Sequence, residues 1–352
     1  MRSFLSENHY KAKALFLLLL FPICFFGSIL IGNVPISLKD SFSIIGSQIP
    51  ILSSFFQNEL IPKSYVTIIM DLRLPRVLLS FLAGAGLSVA GCVFQGILSN
   101  SMADPYILGV SSGASFGATM AMLLPAAGVF PVLGFRGGLA FVGAVLTLLF
   151  VFLLSNRKGR AQNMTLLLGG IAMNYFLSSM ISLLMIFHKE KLENVYFWTL
   201  GSFRASRWQE VFLLGVAVPV IFFSIFFRSR ELDMIMFSEK QASVMGVNVV
   251  RIKKSLLIQA SLLTAIIVSL SGIIGFVGLL VPNMVRMITG ARHKRLLPVS
   301  ALAGGIFLMI CDTIARSILP FTEISVGIIT AIFGVPFFFW LLRKNRKKEV
   351  AG

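Results

Sequence analysis

Residues 255–288, SLLIQASLLTAIIVSLSGIIGFVGLLVPNMVRMI, decide how this chain folds, because the 34 residues carry no charge before Arg286. A helix crosses the apolar core of a bilayer with roughly 17 to 25 mostly apolar residues, so the run is too long for one crossing and barely enough for two. Basic clusters flank it, with Arg251, Lys253 and Lys254 before it and Arg286, Arg292, Lys294 and Arg295 at and beyond its end. Lys and Arg favour the cytoplasmic side of a membrane, which puts both clusters on one side and an even number of crossings between them. The stretch is therefore expected to form two short helices broken near residues 269–272.

Outward from this run, further apolar segments of spanning length lie at 14–32, 77–97, 107–124, 137–155, 165–187, 211–227, 297–315 and 324–342. With 255–271 and 273–288 they make ten expected spans with both termini cytoplasmic, an all-α polytopic membrane protein forming one transmembrane domain over 1–352. Lys11 and Lys13 precede the first segment, which runs on to Gly32 with no small-residue cleavage pattern. A secretory signal has an apolar region of roughly 7 to 15 residues, so this segment reads as a retained span.

Composition agrees. The chain has 352 residues, 57% hydrophobic and 13% charged, with a mean hydropathy of +0.89; a soluble surface needs about a quarter of all residues charged. The net charge of +17 would in a soluble chain suggest nucleic acid. In the ten-span arrangement 21 of the 31 Lys and Arg fall on the cytoplasmic side, leaving +15 there and +2 outside, so the charge is a topological signal. Cys24, Cys92 and Cys311 are isolated in apolar runs, the three histidines are scattered, and there is no GxxxxGK[ST]. Neither a disulfide framework nor a metal site is implied, and any ATP hydrolysis belongs to another chain.

Polar features inside the spans carry two readings each. Gly109, Gly113 and Gly117 recur every four residues, as close helix packing or a functional face requires. Gly272, Gly275, Gly278, Pro282 and Asn283 suit a broken helix that either lines a site or packs. Gly170, Asn174, Ser178 and Ser182 form an interval-of-four stripe, lining a passage or bonding to a neighbouring helix. Asp312 is the main charge within a span, and Arg316 one turn later is its nearest candidate partner. Between 228 and 254, Ser238 with Gln241 reads as a capping box, Glu239–Met245 as a short helix, Gly246 as its left-handed stop and Asn248 as the cap of the next helix. This knob is either a docking element or simply a structured loop.

The stretch RLPRVLLSFLAGAGLSVAGCVFQGILSNSMADPYILGVSSGASFGA (73–118) resembles the signature region of the FecCD family of ABC-importer permeases, which includes cobalamin, haem and ferric-siderophore permeases. LLLGGIAMN (166–174), GFVGLLVPNMVR (275–286), RHKRLLPVSAL (292–302) and ISVGIITAIFGVPFFFWLL (324–342) match the later blocks in order. The resemblance implies a type II ABC-importer permease fold in the cytoplasmic (inner) membrane, working as a homodimer or heterodimer of permeases with two ATPase subunits and an external substrate-binding protein. It implies no cofactor or metal on this chain, with ATP and Mg2+ used by the ATPase. It implies that Arg73, Arg76 and Arg316 dock the binding protein, unless they only anchor helices at the headgroups. It places Ser238, Glu239, Gln241, Met245, Gly246 and Asn248 in the coupling loop, and Asn100, Met102, Asn163 and Met164 at the cytoplasmic gate. Asn174 and Ser178 are the pathway-lining candidates. Asn283, where many members have His, and SNSMADP, where NPLADP is usual, depart from the pattern near the inner face.

The function expected is import of an iron-siderophore, haem or cobalamin, by a transport subunit that is not itself an enzyme. The alternative is an ion-coupled secondary transporter with a broken-helix site near 269–283, although carboxylates and histidines that commonly serve such coupling are scarce within the spans. A membrane-embedded enzyme is disfavoured because acids, histidines and nucleophiles do not converge on one face.

Overall fold

The computed structural model describes residues 2–32, 34–48, 61–124, 133–157, 160–161, 163–319 and 322–350. Its helices in chain order are α1 (Arg2–Leu30), α2 (Leu38–Ser47), α3 (Lys63–Thr67), α4 (Leu74–Ile97), α5 (Val110–Leu123), α6 (Gly134–Ser155), α7 (Asn163–Phe187) and α8 (Leu192–Thr199), then α9 (Trp208–Phe226), α10 (Ser229–Phe237), α11 (Glu239–Val244), α12 (Val249–Ser271), α13 (Val277–Thr289), α14 (His293–Ser317) and α15 (Val326–Val350). A π-helical turn, Ile68–Arg73, joins α3 to α4 into one continuous rod. A two-stranded hairpin pairs Asn156–Arg157 with Arg160–Ala161 between α6 and α7.

Six of these rods are long and apolar enough to cross a membrane: Lys63–Ile97, Gly134–Ser155, Met164–Phe187, Trp208–Phe226, Val249–Ser271 and His293–Ser317. Ala14–Leu30, Val277–Thr289 and Val326–Leu341 are shorter apolar helices. The segment expected over 107–124 is a helix only from Val110, because Gly109 takes a left-handed φ of 78° and separates it from a 3-10 turn at Pro105–Leu108. The uncharged run does break: α12 ends at Ser271, Gly272 (φ 72°) turns the chain, and α13 starts after Phe276.

The rod containing α4 is the axis of the fold, packed most extensively on α14 and also on α12, α13 and α9. In its most apolar stretch 83% is buried, against 17% for α7, so α4 is a central helix and α7 a peripheral one. Apolar burial drives little association in lipid, where close van der Waals packing of small residues does the work. The α4 sequence supplies them. Gly84 lies against the Gly304 carbonyl and Gly91 against that of Gly278, with no room for a Cβ at either. Arg76 faces Asp312, Gly84 faces Gly304 and Gly96 faces His293, so α4 and α14 run antiparallel in contact from end to end. The stripe on α5 packs likewise, Gly113 and Gly117 lying against the Gly143 and Leu139 carbonyls of α6.

Candidate functional site

Three groups of residues occupy the two ends and one flank of this bundle. At one end α10 and α11 form a knob. The Ser238 side chain accepts from the Gln241 amide at 3.4 Å, α11 ends at Gly246 with φ 85°, and Asn248 Oδ1 accepts from the Arg251 amide at 3.1 Å to start α12. The capping box is half formed, since the Ser238 amide donates to the Met234 carbonyl of α10 instead. The sequence places 229–237 in the loop after the preceding span without marking a helix there; its amphipathic SRELDMIMF forms α10 and buries Leu232 and Ile235.

The knob is braced from below and bare on top. Lys253 of α12 bonds Glu239 at 2.7 Å. His293, fully buried at the start of α14, donates its amide to Asp233 Oδ1 of α10 at 2.9 Å, and its Nδ1 lies 2.6 Å from the same oxygen. Meanwhile Phe237, Val244 and Met245 are 81%, 89% and 69% exposed, an apolar crown that a membrane-free surface carries at a cost unless something covers it. Neither Asp233 nor His293 had been singled out from the sequence; the contact joins residues 60 apart and leaves no local pattern.

Close by lies the loop after α4. Asn100 Oδ1 accepts from the Met102 amide at 2.9 Å and its own amide reaches Gln95. Asn283 of α13 donates through Nδ2 to the Ser101 carbonyl at 2.7 Å and to Leu279 at 2.8 Å, and Arg286 donates to its Oδ1 at 3.2 Å. The two places where the chain departs from the family pattern thus touch. Asn163 is the first residue of α7, and Met164 next to it is 63% exposed.

Along α7 the expected polar stripe divides. Gly170 is buried on the Ile107 carbonyl, while Asn174, Ser178 and Ser182 are exposed. Ser182 spends its hydroxyl on the Ser178 carbonyl at 2.9 Å. The same flank exposes Tyr175, Phe176 and Phe187, so a largely apolar surface carries a thread of polar groups.

At the end opposite the knob the three arginines assigned to docking converge, and they are buried and paired within the bundle. Arg73, Arg76 and Arg316 are only 5%, 8% and 6% exposed. Arg76 grips Asp312 with both Nε and Nη2 at 2.9 Å and reaches Glu323 with Nη1 at 3.0 Å. Arg73 donates to the Ile29, Leu30 and Val34 carbonyls, and Arg316 to that of Ser28, which ties down the last turn of α1. The physical reason is the orphaned carbonyls at a helix C-terminus, which guanidinium forks satisfy well. Asp312 does approach Arg316, at 3.9 Å, but its main partner comes from α4, 236 residues away in sequence.

A multi-pass bundle with a broken helix, a docking-sized knob and a peripheral helix carrying polar groups describes a membrane transport subunit. Comparison with known proteins makes this specific: the profile of the FecCD transport family matches residues 18–344, and the chain belongs to that family. It is 41% identical over 293 residues to the cobalamin import system permease protein BtuC of Halobacterium salinarum, covering 82% of this chain and 77% of that one. It is 38% identical over 286 residues to the Fe(3+) dicitrate transport system permease protein FecD of Escherichia coli, covering 79% and 86%. Among solved structures, a metal-chelate type ABC transporter in an inward-facing conformation superposes with a TM-score of 0.81 at 31% identity, covering 95% of this chain and 99% of that one. The chain is accordingly a membrane-embedded transport subunit, a permease of the ABC-importer class.

Proposed function

We propose that this permease imports an iron-siderophore, with haem or cobalamin as the next candidates, across the cytoplasmic (inner) membrane. It does so with ten spans, α1, α4–α7, α9 and α12–α15, and both termini inside. It pairs with a second permease and with two ATPase subunits that use ATP and Mg2+, and it receives substrate from an external binding protein. The observation that carries the reading is the knob: exposed Phe237, Val244 and Met245 stand on a base locked to two spans by Lys253–Glu239 and His293–Asp233. A rigid lever with a bare apolar tip suits ATPase seating, Ser238, Glu239, Gln241, Met245, Gly246 and Asn248 forming its coupling loop. Movement of the knob would pull on α14 and α12, and through them on α4.

Asn100, Met102, Asn163 and Met164 serve as the inner gate in this scheme, and Asn174 and Ser178 face the passage between the two permeases. Polar groups on a peripheral span are costly against lipid and inexpensive against a wet passage, which favours that assignment. For the docking end, Arg73, Arg76 and Arg316 act with their neighbours: an acidic binding protein competes with Asp312 and Glu323 for guanidiniums that already hold α1. Arrival of the partner is thereby communicated to the helix ends.

The test is reconstitution with its ATPase and binding-protein partners. ATP-dependent uptake of the chelate retained by that binding protein is expected. Uptake driven by an imposed ion gradient with no ATPase present would overturn the reading in favour of secondary transport.

A further inference from the structure

Beside the knob, between α6 and α12, the bundle leaves a cavity of about 760 Å3. Its walls are aliphatic and aromatic: Leu149, Phe152 and Leu153 from α6 face Leu257, Ile258 and Leu262 from α12. Several of these remain open, Leu149 at 53% and Leu153 at 76% exposed. The mouth is different in character. Lys240, Lys253 and Lys254 line it with a single acid, Glu239, and that acid is already taken by Lys253 at 2.7 Å. Lys240 and Lys254 are exposed, and neither makes an ion pair with a described residue. The first residues of α12, Val249 and Val250, open onto the same mouth and present the positive end of a 23-residue helix.

We propose that this groove binds an anionic phospholipid, its phosphate held by Lys240 and Lys254 at the start of α12 and its acyl chains lying along the α6 and α12 walls. The separation of charge and apolar surface is what singles out a lipid. A soluble anion would use the mouth and leave the apolar walls bare, and a neutral lipid would use the walls and leave the lysines without a partner. Basic mouths above apolar clefts between spans are a known chemistry for anionic headgroups, and the volume falls in the range of roughly 300 to 1,000 Å3 typical of small-molecule sites. Because Glu239 and Gly246 also line the cavity, an occupied groove would stiffen the base of the knob.

The permease alone, in detergent, would be titrated with phosphatidylglycerol and with phosphatidylcholine of the same acyl chains, counting bound lipid by native mass spectrometry. Phosphatidylglycerol is expected to bind about tenfold more tightly, and K240E/K254E to abolish that preference. The milder K240Q/K254Q, which keeps side-chain bulk, should reduce it and guards against a misfolded reversal variant. Equal retention of the two lipids, or a preference untouched in both variants, would overturn the proposal. So would inorganic phosphate displacing the lipid at equal concentration, which would mark a site for a free anion. Variants that keep the lipid but lose the ATPase on co-purification would assign the mouth to the ATPase and also overturn it. None of these readouts involves transport, so failure of the import reading and failure of the lipid site are separately visible.

Discussion

Asn283 Nδ2 donates to the Ser101 carbonyl across 2.7 Å, tying the broken-helix element α13 to the loop that follows α4. Gln95 reinforces the tie from the other side, donating to the Gly278 and Leu279 carbonyls at 3.2 Å each. The Ser101 carbonyl gives the loop an acceptor for Asn283, and the side-chain amide supplies both the donor and, for Arg286, an acceptor. A change at either position is thus felt at the other, and Asn100 and Met102 sit on the same short loop.

Replacing Asn283 by Ala removes this brace and leaves the half-buried Ser101 carbonyl short of a donor, a loss of about 1 kcal/mol. The loop should loosen before the bundle does. We expect a cysteine introduced by Asn100→Cys to be labelled faster by a water-soluble maleimide in the Asn283→Ala background, with the melting temperature in detergent lowered only modestly. Unchanged labelling would show that the loop is held by other contacts.

Asp312 is 1% exposed and shared between Arg76 and Arg316. Truncating one partner of a buried ion pair strands the other charge and typically costs about 3 to 5 kcal/mol. Asp312→Ala is therefore expected to destabilise strongly in thermal unfolding, whereas removing both members with Asp312→Leu and Arg76→Leu should recover much of the loss. If the double variant is no better than the single, Glu323 and the α1 contacts, and not the pair, carry the stability.

His293 and Asp233 link the knob to the span that packs along α4. Asp233→Ala should leave insertion and substrate-free folding intact, because the contact lies at the end of the bundle, but it should raise ATP hydrolysis in the absence of binding protein relative to coupled uptake. A fall in both rates in proportion would point to lost assembly and not to lost coupling.

Gly246 stands in the left-handed region at φ 85° with open space where a Cβ would go. A β-branched residue there meets no neighbour and costs about 1 to 2 kcal/mol through backbone strain alone. Gly246→Val is expected to reshape the turn after α11 and reduce coupled ATP hydrolysis while the protein still inserts and purifies normally. Gly246→Asn, which tolerates the left-handed region, should be milder; equal behaviour of the two would remove the conformational explanation.

Much of the architecture is legible along the chain because the bilayer imposes one-dimensional rules. Length of apolar run and placement of Lys and Arg are local quantities, and so are the caps around Ser238, Gly246 and Asn248. The break after α12 is readable for the same reason: a run of 34 residues with no charge before Arg286, flanked by two basic clusters, admits few arrangements. The interruption at Gly109 was missed because the glycine sits in an interval-of-four pattern that also suits an uninterrupted helix, and only its left-handed φ separates the two.

What only the tertiary structure decided is which polar side chains are spent within the chain and which are left over. In sequence, Arg73, Arg76 and Arg316 are three cations at helix ends, indistinguishable from surface charges. In the fold, carbonyls of α1 and the carboxylates of Asp312 and Glu323 consume them. Conversely Lys240 and Lys254 read as two more basic residues in a basic loop, and become a candidate headgroup site only when α6 closes an apolar wall opposite α12. The physical reason is the same in both cases. Burial and pairing depend on distances between residues far apart in the chain, whereas membrane insertion depends on the polarity of each segment taken by itself.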